Sequence, residues 1–243
     1  MDQNATRGLI LHQVKYSDSS IILKVYTELY GPQSYIMRGV RKKNKKTGMA
    51  ILQPMTLVEL VGGHSAKSAL QYIKEIRIAS VYKDIPFNMS KSSVLMFLNE
   101  VLYKVLKEES ANTALFSFLF HSMEFFDQYE GPIANFHLLF LIHLSKYLGV
   151  HPRNNYSERD NFFDITEGEF TCGNNENIYL LGLASSKWLH ELLDIDLYEL
   201  KNLNIPYTVR LELNNGLIDY YKLHIPGLEV IKSLEVVQSI LRD

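Results

Sequence analysis

Five runs of β-compatible residues crowd into the first 80 positions, and beyond them apolar residues recur at the three- and four-residue spacing of helices. The first run is Thr6–Tyr16, followed by Ser17-Asp18-Ser19-Ser20 as a turn. In the second, Ile21, Leu23 and Val25 share one face and Ile22, Lys24 and Tyr26 the other, and Gly31-Pro32 closes it. Gln33–Val40, Leu57–Val61 and Ala69–Val81 supply three more, with Gly62-Gly63 read as the turn joining the last two. Strands this short and this closely spaced suit a small closed barrel, so the chain is read as α+β, with a five-stranded barrel ahead of an all-helical part.

Helical grammar begins near residue 90. Ser90–Glu109 places Val94, Leu95, Leu98, Val101, Leu102 and Val105 on one stripe, with Asn88 or Ser90 as cap. Asn112–Tyr129 is a second, phenylalanine-rich helix, and Ile133–Leu148 a third, with Pro132 at its first position and Gly149 at its end. These three are expected to form a bundle. A polar and aromatic stretch, 150–183, reads as a loop-rich insert with two short strands. Ser185–Leu200 is again helical, as is the short Ser233–Leu241 segment. Between them, Tyr207–Leu223 fits either a helix or, through Val209-Arg-Leu-Glu-Leu213-Asn-Asn-Gly216, a hairpin. The expected division is 1–80 for the barrel and 81–243 for the helical part.

Charge is distributed as unevenly as structure. The first 80 residues hold 12 Lys/Arg against 5 Asp/Glu, whereas the remaining 163 hold 13 against 22, in a chain of net charge −2. Six of the early cations, Arg38, Arg41, Lys42, Lys43, Lys45 and Lys46, fall within nine residues directly after the third strand. A cationic tract beside a barrel face marks a site for a polyanion. Lys24, Tyr26 and Tyr35 join it as candidates, with Tyr16 and Tyr72 as further rings on which bases could stack while the cations neutralise phosphates.

Catalytic chemistry finds no foothold. The chain lacks a glycine-rich phosphate loop, a Gly-x-Ser-x-Gly elbow, a His-Glu-x-x-His and a Cys-x-x-Cys. His137 and His143 stand six apart and face different directions, so they read as ordinary bundle histidines. Glu191, Asp194, Asp196 and Glu199 read as a solvated face, and Cys172 as a small side chain. The single cysteine and the absence of a charged-then-apolar leader point to a reducing cytoplasm, and no window approaches about 18 uninterrupted apolar residues. The expectation is a protein that is no enzyme, binds no cofactor or metal and spans no membrane.

Thr6-x-Gly8-Leu-Ile-Leu, Tyr16-x-Asp18, Thr27-Glu28-x-x-Gly31, Arg38-Gly39-Val40-Arg41-Lys42, Tyr220-Tyr221-x-x-His224 and Lys232-Ser233, in this order, resemble the bacterial recombination mediator family RecO over nearly the whole chain. The resemblance implies an OB-fold, a helical body and a zinc-binding insert, and it favours helix over hairpin at 207–223. It also implies a nucleoid-associated protein without catalysis. Such a protein binds and anneals single-stranded DNA, with double-stranded DNA as a second polyanion, and works with RecR to load RecA onto DNA coated by single-stranded-DNA-binding protein, whose C-terminal tail it contacts. Many relatives carry four zinc-ligating cysteines in the insert, yet this one holds only Cys172, with His151 as the nearest imidazole, so the insert is a degenerate zinc finger. Losing zinc removes on the order of 10 kcal/mol of ordering free energy. Burial of Phe162, Phe163 and Phe170, at roughly 2–3 kcal/mol each, offsets much of that.

A second reading makes the chain a protein-interaction adaptor whose helical part docks a partner peptide in an apolar pocket. Lys187, Arg210, Lys222 and Lys232 are the cations available beside such a pocket.

Overall fold

The structure, a computed structural model, describes residues 2–38, 49–65, 68–107, 110–173, 179–228 and 230–242. Two compact units divide the chain, Met1–Asp127 and Gln128–Asp243.

In the first unit β1 (Asp2–Lys15), β2 (Ser20–Thr27), β3 (Gly31–Arg38), β4 (Leu57–His64) and β5 (Gln71–Ile78) close into a barrel of order β1-β2-β3-β5-β4, that of an OB-fold. Closure depends on the length of β1, whose first half pairs with β4 and whose second half pairs with β2, turning at a bulge between Ile10 and His12. The seam is a short parallel contact, Tyr35 with Gln71 and Ile36 with Tyr72. Alternation aims Ile21, Leu23 and Val25 inward as expected, where they meet Ile10, Tyr35, Val58 and Leu60 over Leu52 of a 3-10 turn at Met49–Leu52.

Gly62 and Gly63 are not the expected turn. They lie inside β4, paired with Ile73 and Tyr72 beside a second bulge. A Cβ on Gly62 would stand 2.6 Å from the Tyr72 carbonyl oxygen, so the glycine is there for close backbone approach.

Helices α1 (Met89–Val105) and α2 (Thr113–Gln128) complete this unit. The Asn88 side chain accepts from the Lys91 backbone N–H at 3.1 Å and starts α1. The buried Asp127 carboxylate accepts the backbone N–H groups of Lys83, Asp84 and Ile85 at 2.7, 3.0 and 2.9 Å, tying the strand-to-helix connection to the end of α2. Lys91, also buried, donates to the Asp127 carbonyl at 2.9 Å and stands 2.7 Å from Asp84. On the other side Arg7 forks onto Glu28 at 2.6 and 2.9 Å and lies over the rings of Phe116 and Phe120. That hydrogen-bonded pairing raises the Arg7 pKa and lowers that of Glu28.

The second unit is built around α3 (Phe136–Tyr147), apolar on every side and buried from Phe136 through Ile142. It begins after Asn135, so Pro132 does not open it, while Gly149 ends it with φ +72° as expected. The anticipated three-helix bundle therefore divides, with α1 and α2 in the first unit and α3 packed by α4 (Leu183–Leu193) and α5 (Tyr207–His224) in the second. Tyr221 of α5 donates to the Leu141 carbonyl of α3 at 2.6 Å. The 207–223 segment is a helix because Val209, Leu213, Leu217 and Tyr221 form its buried stripe. A strand would have buried Leu211 as deeply.

The expected Ser185–Leu200 helix breaks at Asp194. Asp196 opens a separate 3-10 turn, Leu197–Asn202, through a capping box with Glu199. α6 (Leu234–Ile240) follows Ser233.

Candidate nucleic-acid interface

The barrel's outer surface over β1, β2 and β3 follows from pairing. Outward residues meet as His12 with Lys24, Val14 with Ile22, Lys24 with Ser34 and Ser20 with Arg38. Two cation–ring pairs stand on this surface. Arg38 is exposed, donates from Nη2 to the Tyr72 hydroxyl at 2.9 Å, and lies 5.1 Å from that ring's centroid. Lys24 is exposed 5.8 Å above the ring of Tyr103, which also meets the His12 ring at 4.9 Å. Tyr72 is 50 % exposed, Tyr103 37 %, and Tyr16, in the β1–β2 turn, 62 %. A cation beside a half-exposed ring offers one group to a phosphate and another to a base.

Two further barrel cations have acidic partners. Arg77 is held by both oxygens of Glu59 at 2.8 Å, and Lys15 lies 3.4 Å from Asp18.

The sequence candidates separate accordingly. Arg38 and Lys24 stand on the outer surface. Arg41, Lys42, Lys43, Lys45 and Lys46 lie outside the described residues. Tyr26 and Tyr35 are only 2 % exposed and present no face to a base. Tyr26 points outward by alternation, but Phe116 of α2 covers it at 6.4 Å. Tyr35 points into the barrel, where burial pushes its hydroxyl well above the usual phenol range. Tyr103, which strand reading could not nominate, had one legible signal: it falls off the apolar stripe of α1.

The insert holds a two-stranded hairpin, β6 (Phe162–Asp164) and β7 (Glu169–Thr171). Phe163 and Phe170 meet edge to face at 5.2 Å in its buried core, with Tyr220 5.9 Å from Phe163, while Phe162 stays half-buried. Asn155 both donates to the Phe170 carbonyl and accepts from its N–H, each at 2.8 Å. Cys172 is exposed, and the Nδ1 of His151 is 2.9 Å from the Ser145 hydroxyl. Among the described residues no group of three His, Cys, Asp or Glu is placed to hold a metal ion, and no helix is long and apolar enough to cross a membrane.

Of the four carboxy-half cations, Arg210 is buried, donating to the carbonyls of Ile205 and Leu241 beside a small crevice that it lines with Tyr207 and Gln238. Lys222 is held by Asp219 at 2.8 Å.

Residues 1–82 match the family described as Recombination protein O N terminal, and residues 86–234 match Recombination protein O C terminal. The DNA repair protein RecO of Bacteroides fragilis is 31% identical, over 97% of this chain and 98% of its own. The chain belongs to the RecO family. The RecO proteins of Phocaeicola vulgatus and Flavobacterium psychrophilum, each 32% identical, cover 97% and 98% of it. The two family segments meet between residues 82 and 86, where strand gives way to helix. Compactness divides this RecO-family chain later, with α1 and α2 in the barrel's unit, where Arg7 of β1 lies over Phe116 and Phe120 of α2.

Proposed function

We propose that this RecO-family protein is a DNA repair and recombination mediator that acts without catalysis, binding single-stranded DNA on the barrel's outer surface and annealing complementary strands. The observation that carries the reading is a near full-length match to DNA repair RecO proteins in a chain whose barrel bears Arg38–Tyr72 and Lys24–Tyr103 on one surface. The cationic tract of Arg41, Lys42, Lys43, Lys45 and Lys46 follows Arg38 directly, so phosphates are neutralised where β3 ends. Double-stranded DNA meets the same cations. RecR, RecA and the C-terminal tail of single-stranded-DNA-binding protein are the protein partners of this reading, in which RecA is loaded onto coated DNA in the bacterial cytoplasm at the nucleoid.

Annealing of complementary oligonucleotides, bare and coated with single-stranded-DNA-binding protein, tests it. Annealing without nucleotide is expected, and an absolute requirement for ATP would overturn the reading. Neutralising six phosphates sets the log–log salt slope of single-strand binding near −4. Replacing Lys42, Lys43, Lys45 and Lys46 by Ala flattens it by roughly 3.

A further inference from the structure

The bulge in β1 re-aims one side chain. Ile10 pairs with Val25 and the next pair along β2 is His12 with Lys24, so Leu11 is the extra residue. Ile10 and Val25 both lie in the barrel core. Plain alternation from Ile10 would send His12 into that core as well, and the extra residue turns it to the outer surface instead. Bulges recur beside binding sites for this reason.

Outside, His12 joins a cation and a ring already placed there. Directly opposed cross-strand residues have Cβ atoms about 4.5–5.5 Å apart, which sets the imidazole beside the exposed Lys24 side chain. Both meet one ring of α1. The His12 and Tyr103 centroids are 4.9 Å apart at an interplanar angle of 44°, and the Lys24 Nζ stands 5.8 Å from the Tyr103 centroid. His12 is half-buried, so its neighbours hold the imidazole while solvent still reaches it. All three residues belong to the first compact unit.

What this arrangement does depends on a proton. Neutral, the imidazole adds a flat ring beside Lys24. Protonated, it sets a second cation directly opposite the first, and like charges so placed repel. A phosphate lying over both relieves the repulsion and accepts a charge-assisted hydrogen bond from each. Binding of a polyanion and uptake of a proton therefore favour one another. The other charges around the pair are Lys15 of β1, 3.4 Å from Asp18, and on α1 Glu100 and Lys104, paired at 3.1 Å, with Lys107 one turn beyond Tyr103. Glu108 and Glu109 lie outside the described residues.

We infer that His12 is a further phosphate-binding residue of the single-strand interface, joining Lys24 when it is protonated, an assignment that rests on the DNA-binding reading above. It tightens the grip on DNA as pH falls below neutrality, a range in which lysine and arginine side chains ordinarily keep their charge.

Anisotropy titrations of a labelled oligothymidylate over a series of salt concentrations, at about pH 8 and about pH 5.5, bracket the ordinary imidazole titration and test the assignment. One more neutralised phosphate steepens the log–log salt slope by about 0.7. The native chain is expected to show that increment at the lower pH and His12→Gln to show none. His12→Lys, with a permanent charge, is expected to give the steeper slope at both. A native slope that is equal at the two pH values, with the chain folded by its melting curve at each, overturns the inference. So does an increment that persists in His12→Gln, or a His12→Lys slope at about pH 8 no steeper than the native one, each variant being folded by the same criterion. A native chain that binds no single strand at either pH overturns the DNA-binding reading itself, whereas one that binds with a steep slope independent of pH overturns only the role of His12.

Discussion

The two compact units use polar side chains in opposite ways. On the barrel, Arg38 and Lys24 stand exposed beside the rings of Tyr72 and Tyr103. In the second unit three polar groups are turned inward: Arg210 donates to two backbone carbonyls, Tyr221 to another, and His137 of α3 is buried. A buried polar group fixes a unique packing, while an exposed one leaves the fold largely indifferent to its removal. The first unit can therefore vary its outer charges at little cost in stability, and the second cannot vary its inner ones.

The largest effect should come where the first unit departs from this rule. Asp127→Ala strips three backbone N–H groups of their buried acceptor, and a loss of about 3–4 kcal/mol in urea denaturation is expected. A loss below 1 kcal/mol would mean that the connection is not held by this carboxylate.

Next comes acid. Burial, with Arg210 nearby, holds the His137 pKa down at about 3, and burial also lowers those of His143 and His151. As pH falls through the ordinary histidine value near 6.5, the unfolded chain takes up protons that the folded chain refuses. Stability is thus complete above that pH and declines by a few kcal/mol toward pH 3. In His137→Gln the decline between pH 6.5 and 4 should be shallower by about one proton, read as the slope of unfolding free energy against pH. An unchanged slope would remove His137 from the comparison.

Smaller still is the Arg7–Glu28 pair, which is partly open to solvent. A double-mutant cycle to Ala is expected to give about 0.5–1 kcal/mol of coupling. The smallest change in stability, within about 0.5 kcal/mol, belongs to Lys24→Ala with Arg38→Ala. That double variant should nonetheless flatten the salt slope of single-strand binding by about 1.4. If it unfolds the barrel instead, the contrast between the units fails.

Much of this was open to reading in the chain. Alternation at Ile21, Leu23 and Val25 fixed the inner face of β2, and the stripe through Val94, Leu98 and Val105 fixed that of α1, because each depends only on the period of one element. Gly62-Gly63 misled, since a glycine that permits close backbone approach and one that makes a turn look identical in sequence. Pro132 misled in a similar way: it fits a first helical position, but α3 starts only at Phe136. At the candidate site Arg38 and Lys24 were legible as outward cations. Tyr103 was not, because its partner Lys24 is 79 positions away and the two meet only through packing of α1 on the barrel.

The sequence by itself determined the order of strands and helices, the segregation of positive charge into the first 80 residues and the resemblance that names the family, all of which are written in local pattern and composition. Only the tertiary structure decided which tyrosines are accessible, that α1 and α2 side with the barrel, and that Tyr30 and His64 stack on each other. Those facts arise when elements distant in the chain cover one another, and the period of a single strand or helix carries no record of its neighbour.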